Sequence, residues 1–353
     1  MTRRDFVKTA AGAAAVSVMP SVLRAADGRE AIRAMLFHLG HNMWSEWLPP
    51  ELMKPEFVGK GHWPDFELKF ETESWERLVA RMVERKINLV VLDLGEGIVY
   101  PSHPELAVKG SWSPDRMKEE VVRLKGLGIE AIPKLNFSAT HDGWLKQYGL
   151  QLTQPAWYAV VRDVIRDVAE IFGRPRFFHI GFDEENVGHA GGLNYFVMRK
   201  GELWWHDFLY TVKCVEDCGS RPWVWSDHGW GDMTYFTRCP KSVVQSNWYY
   251  DEAHGGFDPK TNKTDDHKRL IEFWNLEKAG FDQIPCGTNW VGWKRKQENC
   301  GADDVMSSLV KLGREVIAPE RLLGFMMAPW ARTDRAHEDW NLRGIDLLAE
   351  ALV

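Results

Sequence analysis

The sequence predicts a (β/α)8 (TIM) barrel, a single-domain α/β fold, on three observations. Eight short apolar runs alternate with longer amphipathic stretches, which is the pattern of strands and helices around a parallel sheet. Glycine follows several helical stretches, as at Gly128, Gly173 and Gly280, where helices commonly end. The connections after the predicted strands are long, whereas those before them are short. In this fold the long connections gather at the carboxyl ends of the strands, where functional sites lie.

The predicted elements can be placed in order along the chain. Four stretches have apolar residues at three- and four-residue spacing and predict helices over 74–86, 114–128, 157–173 and 303–315. A doubly wound open sheet is the alternative, but it usually carries an early phosphate-binding glycine loop, and the sequence shows none. The barrel is therefore expected over 26–353. Its strands are predicted at 31–37, 87–94, 129–136, 176–183, 221–227, 242–248, 283–289 and 322–330.

The amino-terminal segment 1–25 resembles a twin-arginine export signal. Arg3 and Arg4 precede an alanine-rich apolar stretch over 9–22, and residues 23–25 offer a cleavage site. The stretch is too short to span a bilayer comfortably, so no stable membrane insertion is expected. The segment predicts a protein that is periplasmic or secreted. An uncleaved amino-terminal helix is the alternative.

Composition narrows the classes of partner. The net charge of −6 argues against nucleic acid as the main partner. The chain has 18 Trp, and indole faces with their N–H donors suit amphipathic ligands such as sugars. About half of these indoles are expected in the core. The five Cys are odd in number and form no C-x-x-C motif, which argues against a disulfide framework or a zinc ribbon and favours buried thiols.

Polar side chains stand where the predicted strands end. The stretch 177–186, FFHIGFDEEN, ends an apolar run with Asp183, Glu184 and Glu185, although isolated charges are costly to desolvate. Indoles can stack on the C–H face of a sugar while carboxylates and amides bind its hydroxyls. The strand ends therefore add Asp227 and Asn289 as substrate-binding candidates. The histidines near these ends lack metal-ligand spacing, so no metal site is predicted from His38, His41, His141 and His228.

Asp183 and Glu184 are the predicted catalytic pair. Glycoside cleavage needs an acid to protonate the leaving oxygen and a group to stabilise the oxocarbenium-like centre. Adjacent side chains of an extended strand point to opposite sides, so these two converge on one substrate only if the strand end curls. Such convergence fits a substrate-assisted mechanism, in which the 2-acetamido oxygen of the sugar is the nucleophile. The charge of Asp183 is expected to raise the pKa of Glu184. A solvated loop start is the alternative, and Glu185 is expected to be structural.

The stretch 179–185, HIGFDEE, resembles the His-x-Gly-Gly-Asp-Glu motif at the end of strand 4 in family 20 glycoside hydrolases, the β-N-acetylhexosaminidases. The resemblance implies that Glu184 is the general acid and then the base, that Asp183 orients and stabilises the acetamido group, and that no cofactor is needed. Segments of strands 1 and 3 and three tryptophans are also similar to the family, the tryptophans either as pocket walls or as barrel packing. This similarity implies substrate-binding roles for Arg33, His141, His179, Trp225, Trp248 and Trp330.

The chain departs from the family pattern, most of all at strands 7 and 8. Phe182 stands for the second Gly of the motif, and His38 stands for an Asp of strand 1. The Tyr-x-Asp of strand 7 is replaced by GTNWVGW, and the Trp-x-Glu of strand 8 reads Trp330-Ala331-Arg332. Arg332 is thus a further substrate-binding candidate, and an Arg in place of a Glu would favour an anionic sugar.

Three functions follow from these residues. The first is an exo-acting glycoside hydrolase that removes a terminal β-linked N-acetylhexosamine from a glycan or glycoside by a substrate-assisted retaining mechanism. The second is a glycosidase for a different sugar, an anionic one included, with a direct two-carboxylate mechanism. The third is a non-catalytic carbohydrate-binding barrel, in keeping with the departures at strands 7 and 8.

Overall fold

The computed structural model describes residues 31–49, 51–56, 58–59, 61–191, 193–250, 268–290 and 303–353. The predicted export signal over 1–25 and the predicted start of the domain at residue 26 lie outside these residues. Within the described ranges, no helix combines the length and the apolar character that crossing a membrane requires.

Eight parallel strands form the centre of the molecule and confirm the predicted barrel. They are β1 Ile32–His38, β2 Leu89–Asp93, β3 Glu130–Lys134, β4 Phe177–His179, β5 Arg221–Trp225, β6 Val244–Ser246, β7 Cys286–Gly287 and β8 Gly324–Met327. The sheet order is β6-β5-β4-β3-β2-β1-β8-β7, which excludes the doubly wound alternative because strands adjacent in sequence are also adjacent in space. Isolated parallel bridges, Gln245 with Gln283 and Trp248 with Cys286, join the two edges and close the barrel.

Helices follow each of the strands. The four predicted helices are confirmed, with ends displaced by no more than two residues. The connection between β5 and β6 contains a helix of only four residues. The helices are α1 Thr72–Glu84, α2 Pro114–Gly126, α3 Pro155–Ile171, α4 Val187–Ala190, α5 Glu202–Asp217, α6 Tyr235–Arg238, α7 Lys268–Ala279, α8 Asp303–Val316 and α9 Glu338–Ala351. Short 3-10 helices cover Asn42–Trp44, Gly95–Gly97, Pro104–Leu106, Gly143–Gln151, Asp227–Trp230 and Arg335–His337.

Alternation along the strands divides the core into two layers. Ala34 and Leu36 of β1 belong to the apolar cluster that fills the inside of the barrel. Met35 and Phe37 belong to the larger cluster between the strands and the helices. Because successive side chains of a strand point to opposite faces, Arg33 shares the outward face of Met35 and Phe37. Arg33 therefore faces the helical layer near the amino end of β1, not the open end of the barrel.

A polar layer lies inside the barrel, where the strands end. The strand register pairs His38 with Asp93, Asp93 with Lys134, and Lys134 with His179. All four side chains are buried. Lys134 Nζ donates to Asp93 Oδ2 over 2.6 Å, and His38 Nδ1 lies 3.2 Å from the same oxygen. Burial opposes the ionisation of Asp93, but the positive charge of Lys134 and the contact with His38 outweigh it and hold the pKa of Asp93 well below its usual range.

The connections at the carboxyl ends of the strands are the long ones, as predicted. Residues 39–71 link β1 to α1, 94–113 link β2 to α2, and 135–154 link β3 to α3. The reverse links are short: residues 85–88 lead into β2, and 127–129 lead into β3. The polar layer thus has the long connections above it, and the functional site is expected between them.

The tryptophans and cysteines match their expected distribution. Nine indoles in the described ranges are buried, half of the 18 in the chain. Cys214, Cys239 and Cys286 are buried and Cys218 is partly buried, and all four are free thiols. Cys300 lies outside the described residues.

Candidate active site

A cavity of about 380 Å³ opens at the carboxyl ends of the strands. This volume is within the range of small-molecule sites. Tryptophan dominates its wall, and two carboxylates lie together on one side. The lining residues are His41, Trp44, His141, Asp183, Glu184, His189, Trp225, Trp248, Tyr250, Trp290 and Trp330.

The turn after β4 brings the two carboxylates to the same cavity. Regular strand geometry ends at His179, and left-handed torsions follow at Gly181 (φ +73°), Phe182 (φ +70°) and Glu184 (φ +56°). These torsions cancel the alternation that would point adjacent side chains to opposite sides. The strand end therefore curls, and Asp183 and Glu184 both reach the cavity wall.

Close packing accounts for the unusual backbone of this turn. A Cβ at Gly181 would lie 2.0 Å from Asn136 Oδ1, so only glycine fits there. Phe182 occupies a torsion that costs a bulky residue roughly 1–3 kcal/mol. Its ring packs edge-on against Trp204 and Phe208, with ring centroids 5.8 and 5.2 Å away. This buried packing offsets the torsional cost and explains how Phe replaces a motif glycine.

Asp183 is held from the side of β3. Its carboxylate accepts a hydrogen bond from Asn136 Nδ2 at 2.8 Å, and its backbone carbonyl accepts one from Ser138 Oγ. The other carboxylate oxygen, Oδ2, lies 3.8 Å from His141 Nε2. Only 7 % of Asp183 is exposed. One oxygen is thus fixed by the protein, and the second is directed to the cavity.

Glu184 lies between two histidines. Its Oε2 is 3.5 Å from His141 Nε2 and 3.1 Å from His189 Nδ1. Burial alone would raise the pKa of Glu184, but the hydrogen bond and charge of His141 and the charges of His189 and Arg269 outweigh it, so this pKa lies below its ordinary value. The expectation of a raised pKa at Glu184 is wrong, because the two histidines and Arg269 outweigh the effect of burial.

The pKa of His141 is shifted in the opposite direction to that of Glu184. Burial favours its neutral form, but the charge of Asp183 and the contact with Glu184 outweigh burial and raise the pKa of His141. Its Nδ1 lies 2.9 Å from Thr140 Oγ1. Each of these two groups therefore stabilises the charged form of the other.

Asp227 supports the turn from β5. Its Oδ2 accepts the backbone N–H of Glu184 at 2.8 Å, and Trp248 Nε1 lies 3.4 Å from its Oδ1. Burial and the charge of Asp183 raise the pKa of Asp227 well above its usual range. Asp227 does not line the cavity that Asp183 and Glu184 border. It lines a neighbouring cavity of about 610 Å³ that shares Glu184 and Trp248 with the first.

The three predicted tryptophans form one wall. Trp225 and Trp248 are nearly buried, with 2 % and 6 % exposed, yet both line the cavity with Trp330. The rings of Trp225 and Trp330 have centroids 5.6 Å apart. Trp330 has a left-handed backbone (φ +54°), and its Nε1 donates to Tyr250 Oη at 3.0 Å. The indoles are therefore both barrel packing and pocket wall.

Besides Asp227, four predicted site residues lie outside this cavity. Arg33 faces the helical layer, as described above. His179 is fully buried, and its Nδ1 accepts the Gly181 N–H at 3.1 Å, so it supports the turn from within the polar layer. Asn289 Nδ2 donates to the Trp340 carbonyl at 2.9 Å. Arg332 pairs with Asp65 over 2.7 Å, which neutralises the charge that would attract an anionic sugar.

Glu185, expected to be structural, points away from the cavity. Its carboxylate pairs with Arg199 at 2.7 Å and accepts the Ala139 N–H at 2.8 Å. Arg199 also pairs with the buried Asp207 at 3.1 Å. This network joins the turn after β4 to the connection after β3 and to α5.

The structure adds residues that the sequence did not single out as site residues. His41, Trp44 and Trp290 follow strands, so their position was a usable signal. His189 and Tyr250 lie deeper in the connections after β4 and β6. Their spacing from the strand ends follows no motif, so only the three-dimensional structure shows that they line the cavity.

Comparison with known proteins first yields two negative results. No protein-family model matches the chain, and no curated protein matches its sequence.

Solved structures, by contrast, share the fold. The GH20 exo-β-N-acetylglucosaminidase from Vibrio harveyi, solved with N-acetylglucosamine, is 13 % identical with a TM-score of 0.58, over 91 % of this chain and 54 % of that one. The chain thus spans about half the length of that enzyme. The GH20 β-N-acetylhexosaminidase from Streptomyces coelicolor A3(2) is 12 % identical with a TM-score of 0.56, over 90 % and 64 %. The β-N-acetylhexosaminidase from Bacteroides fragilis is 14 % identical with a TM-score of 0.55, over 89 % and 65 %. The described part of this chain therefore has the fold of the GH20 catalytic barrel.

Proposed function

We propose that this protein is an exo-acting glycoside hydrolase that removes a terminal β-linked N-acetylhexosamine. One observation carries the proposal: Asp183 and Glu184, adjacent in sequence, line the same tryptophan-walled cavity. A pyranose ring has an apolar face for the indoles and polar groups for the carboxylates. The shared fold with GH20 enzymes supports the same reaction. No cofactor is required by this chemistry.

Asp183 and Glu184 divide the chemistry between them. Asp183 accepts the acetamido N–H with the oxygen that Asn136 leaves free, which turns the acetamido oxygen toward C1 of the sugar. That oxygen forms a bond to C1 while the glycosidic bond breaks, and the departing oxygen takes a proton from Glu184. Asp183 stabilises the positive charge of the oxazolinium intermediate. Glu184 then takes a proton from the water that attacks C1, which restores the acetamido group with net retention.

The Glu184–His141 pair supplies the proton for the first step. Glu184 Oε2 and His141 Nε2 lie 3.5 Å apart, so a proton on His141 can pass to Glu184. A bound sugar ring displaces water from the half-buried carboxylate, which favours its neutral form. The proton then passes from His141 to Glu184, and Glu184 becomes the acid. The neighbouring cavity, which also borders Glu184, accommodates the departing part of the glycan.

The export signal over 1–25 remains a prediction, and with it we propose a periplasmic or secreted enzyme. Mass spectrometry of the protein purified from the periplasm of its host would measure the mature amino terminus. A terminus near residue 26 is expected, whereas an intact terminus on cytoplasmic protein would contradict export.

A panel of chromogenic substrates tests the activity. Hydrolysis of a β-N-acetylglucosaminide or β-N-acetylgalactosaminide, with inhibition by an oxazoline-mimicking thiazoline, is the expected result. Hydrolysis of a galactoside or glucuronide without thiazoline inhibition would instead support the two-carboxylate mechanism. Binding of N-acetylglucosamine with no turnover of any glycoside would support a binding barrel and contradict the proposal.

A further inference from the structure

Three side chains of the candidate active site form a cluster with the composition of a metal site. They are His141, Glu184 and His189, and one ligand atom from each lies within 4.8 Å of the other two. Glu184 Oε2 is 3.5 Å from His141 Nε2 and 3.1 Å from His189 Nδ1. The two imidazole rings are stacked, with centroids 4.9 Å apart.

These separations match those of a tetrahedral zinc site. Zinc binds histidine nitrogen and carboxylate oxygen at about 2.0–2.1 Å, so two ligand atoms on one tetrahedral ion are about 3.3 Å apart. The two distances from Glu184 Oε2, 3.5 and 3.1 Å, lie on either side of this value. A small adjustment of side chains would bring all three atoms onto one ion.

The hydrogen bonds around the cluster already orient the first ligand. Thr140 Oγ1 lies 3.1 Å from the Glu184 carbonyl oxygen, to which it donates its proton, and 2.9 Å from His141 Nδ1. Having donated its proton, Thr140 Oγ1 accepts the N–H of His141 Nδ1. This leaves the lone pair on Nε2, the atom that faces Glu184. A partner of this kind on the far nitrogen is the usual support of a metal-binding histidine.

Charge and ligand type point to a transition metal. Asp183 Oδ2 lies 3.8 Å from His141 Nε2, so a second carboxylate is available for the fourth position. Two carboxylates and two neutral imidazoles balance a doubly charged ion. Imidazole ligands suit zinc and its neighbours, whereas magnesium and calcium prefer oxygen alone.

We propose that His141, His189 and Glu184 bind a divalent transition metal ion such as Zn²⁺, and that this ion inhibits the enzyme. The metal site rests on the geometry alone. The inhibition also rests on the proposed function, because a carboxylate bound to the metal cannot protonate a leaving oxygen. Metal and glycoside then compete for the same pocket.

Metal binding is measured without any substrate. Tag-free full-length protein, freed of metal with a chelator, is titrated with Zn²⁺ by calorimetry and with Co²⁺ by visible absorption. The wild type is expected to bind one ion at this site and to show the visible bands of tetrahedral Co²⁺. His189→Ala is expected to weaken Zn²⁺ binding at least about tenfold, and Glu184→Gln, which keeps the side-chain shape, is expected to do the same.

A histidine elsewhere on the surface provides the matched control. His206 on α5 is 64 % exposed, and His206→Ala is expected to leave the Zn²⁺ affinity unchanged. Circular dichroism checks that each variant is folded. The metal site is overturned if the wild type binds no Zn²⁺, or if folded His189→Ala and Glu184→Gln bind it as tightly as the wild type.

The proposed metal site and the proposed hydrolase activity can be contradicted independently of each other. If Zn²⁺ binds as expected but no glycoside is hydrolysed, the metal site stands and the proposed activity falls. If hydrolysis is observed and Zn²⁺ binds, glycoside and metal are expected to be mutually exclusive, with the apparent inhibition constant rising in proportion to substrate. Binding of Zn²⁺ without any loss of hydrolysis would overturn the inhibition.

Discussion

At the scale of single residues, the candidate site depends on backbone torsion as much as on side-chain identity. Left-handed conformations at Gly181, Phe182 and Glu184 place two adjacent carboxylates on one wall. Each has its own support, since Asn136 binds Asp183 and Asp227 binds the backbone of Glu184. Isolated polar interactions of this kind contribute little energy individually, but together they define the direction of both carboxylates.

The role of Glu184 can be tested by the leaving group of the substrate. Glu184→Gln is expected to lower kcat by about 10²–10⁴ on an N-acetylhexosaminide with a poor leaving group, because no acid protonates the departing oxygen. A dinitrophenyl glycoside leaves without protonation, so its cleavage step should be much less affected. Steady-state kinetics on both substrates gives the comparison. Asp183→Asn serves as the contrast, since it should slow both substrates alike, and an equal loss for Glu184→Gln on both would contradict the acid role.

Glu96 should make the stability of the fold depend on pH. It is buried, its carboxylate accepts the backbone N–H groups of His41 and Asn42, and burial raises its pKa to about 7 from 4.5. The folded state therefore holds a proton that the unfolded state loses between pH 4.5 and 7, so Glu96 destabilises the fold progressively as pH rises through that window. The full effect is about 3 kcal/mol.

Urea unfolding of Glu96→Gln and of the wild type at several pH values measures this effect. The variant is expected to gain stability relative to the wild type between pH 4.5 and 7, because glutamine does not titrate. The exposed Glu51→Gln should show no such trend. A difference between Glu96→Gln and the wild type that stays constant across the window would contradict the assignment.

At this scale the sequence indicates which residues stand at a strand end, but it does not indicate in which direction each side chain points. The Asp183–Glu184 pair follows β4 directly and lines the cavity. Arg33 lies on the expected strand, but successive side chains of a strand alternate between its two faces. Arg33 falls on the face with Met35 and Phe37, so its side chain is directed to the helices. Arg332 is at the right strand end, but Asp65, far away in sequence, neutralises it. A short motif shows neither the face of the strand on which a side chain lies nor an ion pair with a residue far away in sequence.

At the scale of secondary structure, glycine conformation defines several helix ends. Gly128, Gly173 and Gly280 follow α2, α3 and α7 with φ of +81°, +68° and +78°, which explains why these glycines predicted the ends correctly. The predicted strands, in contrast, are too long. The run 176–183 is a strand only over Phe177–His179, because left-handed residues end it, and apolar composition does not reveal such torsions.

Two glycines near helix ends should respond in opposite ways to alanine. Gly173 has φ +68° and open space around it, so Gly173→Ala should destabilise the fold by about 1 kcal/mol through torsion alone. Gly126 lies within α2, also with open space, so Gly126→Ala should stabilise by up to about 1 kcal/mol. Chemical denaturation of both variants provides the comparison. The same sign for both would show that backbone torsion does not decide the effect.

At the scale of the whole molecule, neighbouring strands of the barrel differ in how many consecutive residues they pair. β1 and β2 share five consecutive register pairs, whereas β6 and β7 meet only through isolated bridges. β6 has three residues and β7 has two. Few consecutive hydrogen bonds mean a low free energy of local opening, so this seam is expected to open more readily than the β1–β2 pair.

Hydrogen exchange should reveal the seam. Peptides that cover 244–248 and 283–287 are expected to exchange at least about tenfold faster than those that cover 32–38 and 89–93, a difference of about 1.4 kcal/mol in opening free energy. Exchange followed by mass spectrometry gives the rates. Peptides from β3, inside the continuous part of the sheet, provide the reference. Equal protection along all eight strands would contradict uneven closure.

The whole fold was predictable because its signal is repeated. Eight alternations of strand and helix, with long connections on one side only, are redundant, so an error at one element leaves the barrel unchanged. The same redundancy accounts for a shared fold at 13 % identity with the Vibrio harveyi enzyme. The pocket has no such redundancy. Each lining residue is a single position, and no repeated pattern in the sequence indicates it.

The left-handed turn after β4 also has a consequence for protein engineering. A library that randomises residues 181–184 would sample mostly chains whose backbone cannot follow the observed path, because only glycine fits at position 181. Useful diversity should be sought instead at Trp44, Trp290 and Tyr250, which border the cavity from other connections. Transplanting Asp183 and Glu184 to another barrel would likewise require the whole turn to be moved together with Asn136, which hydrogen-bonds to Asp183.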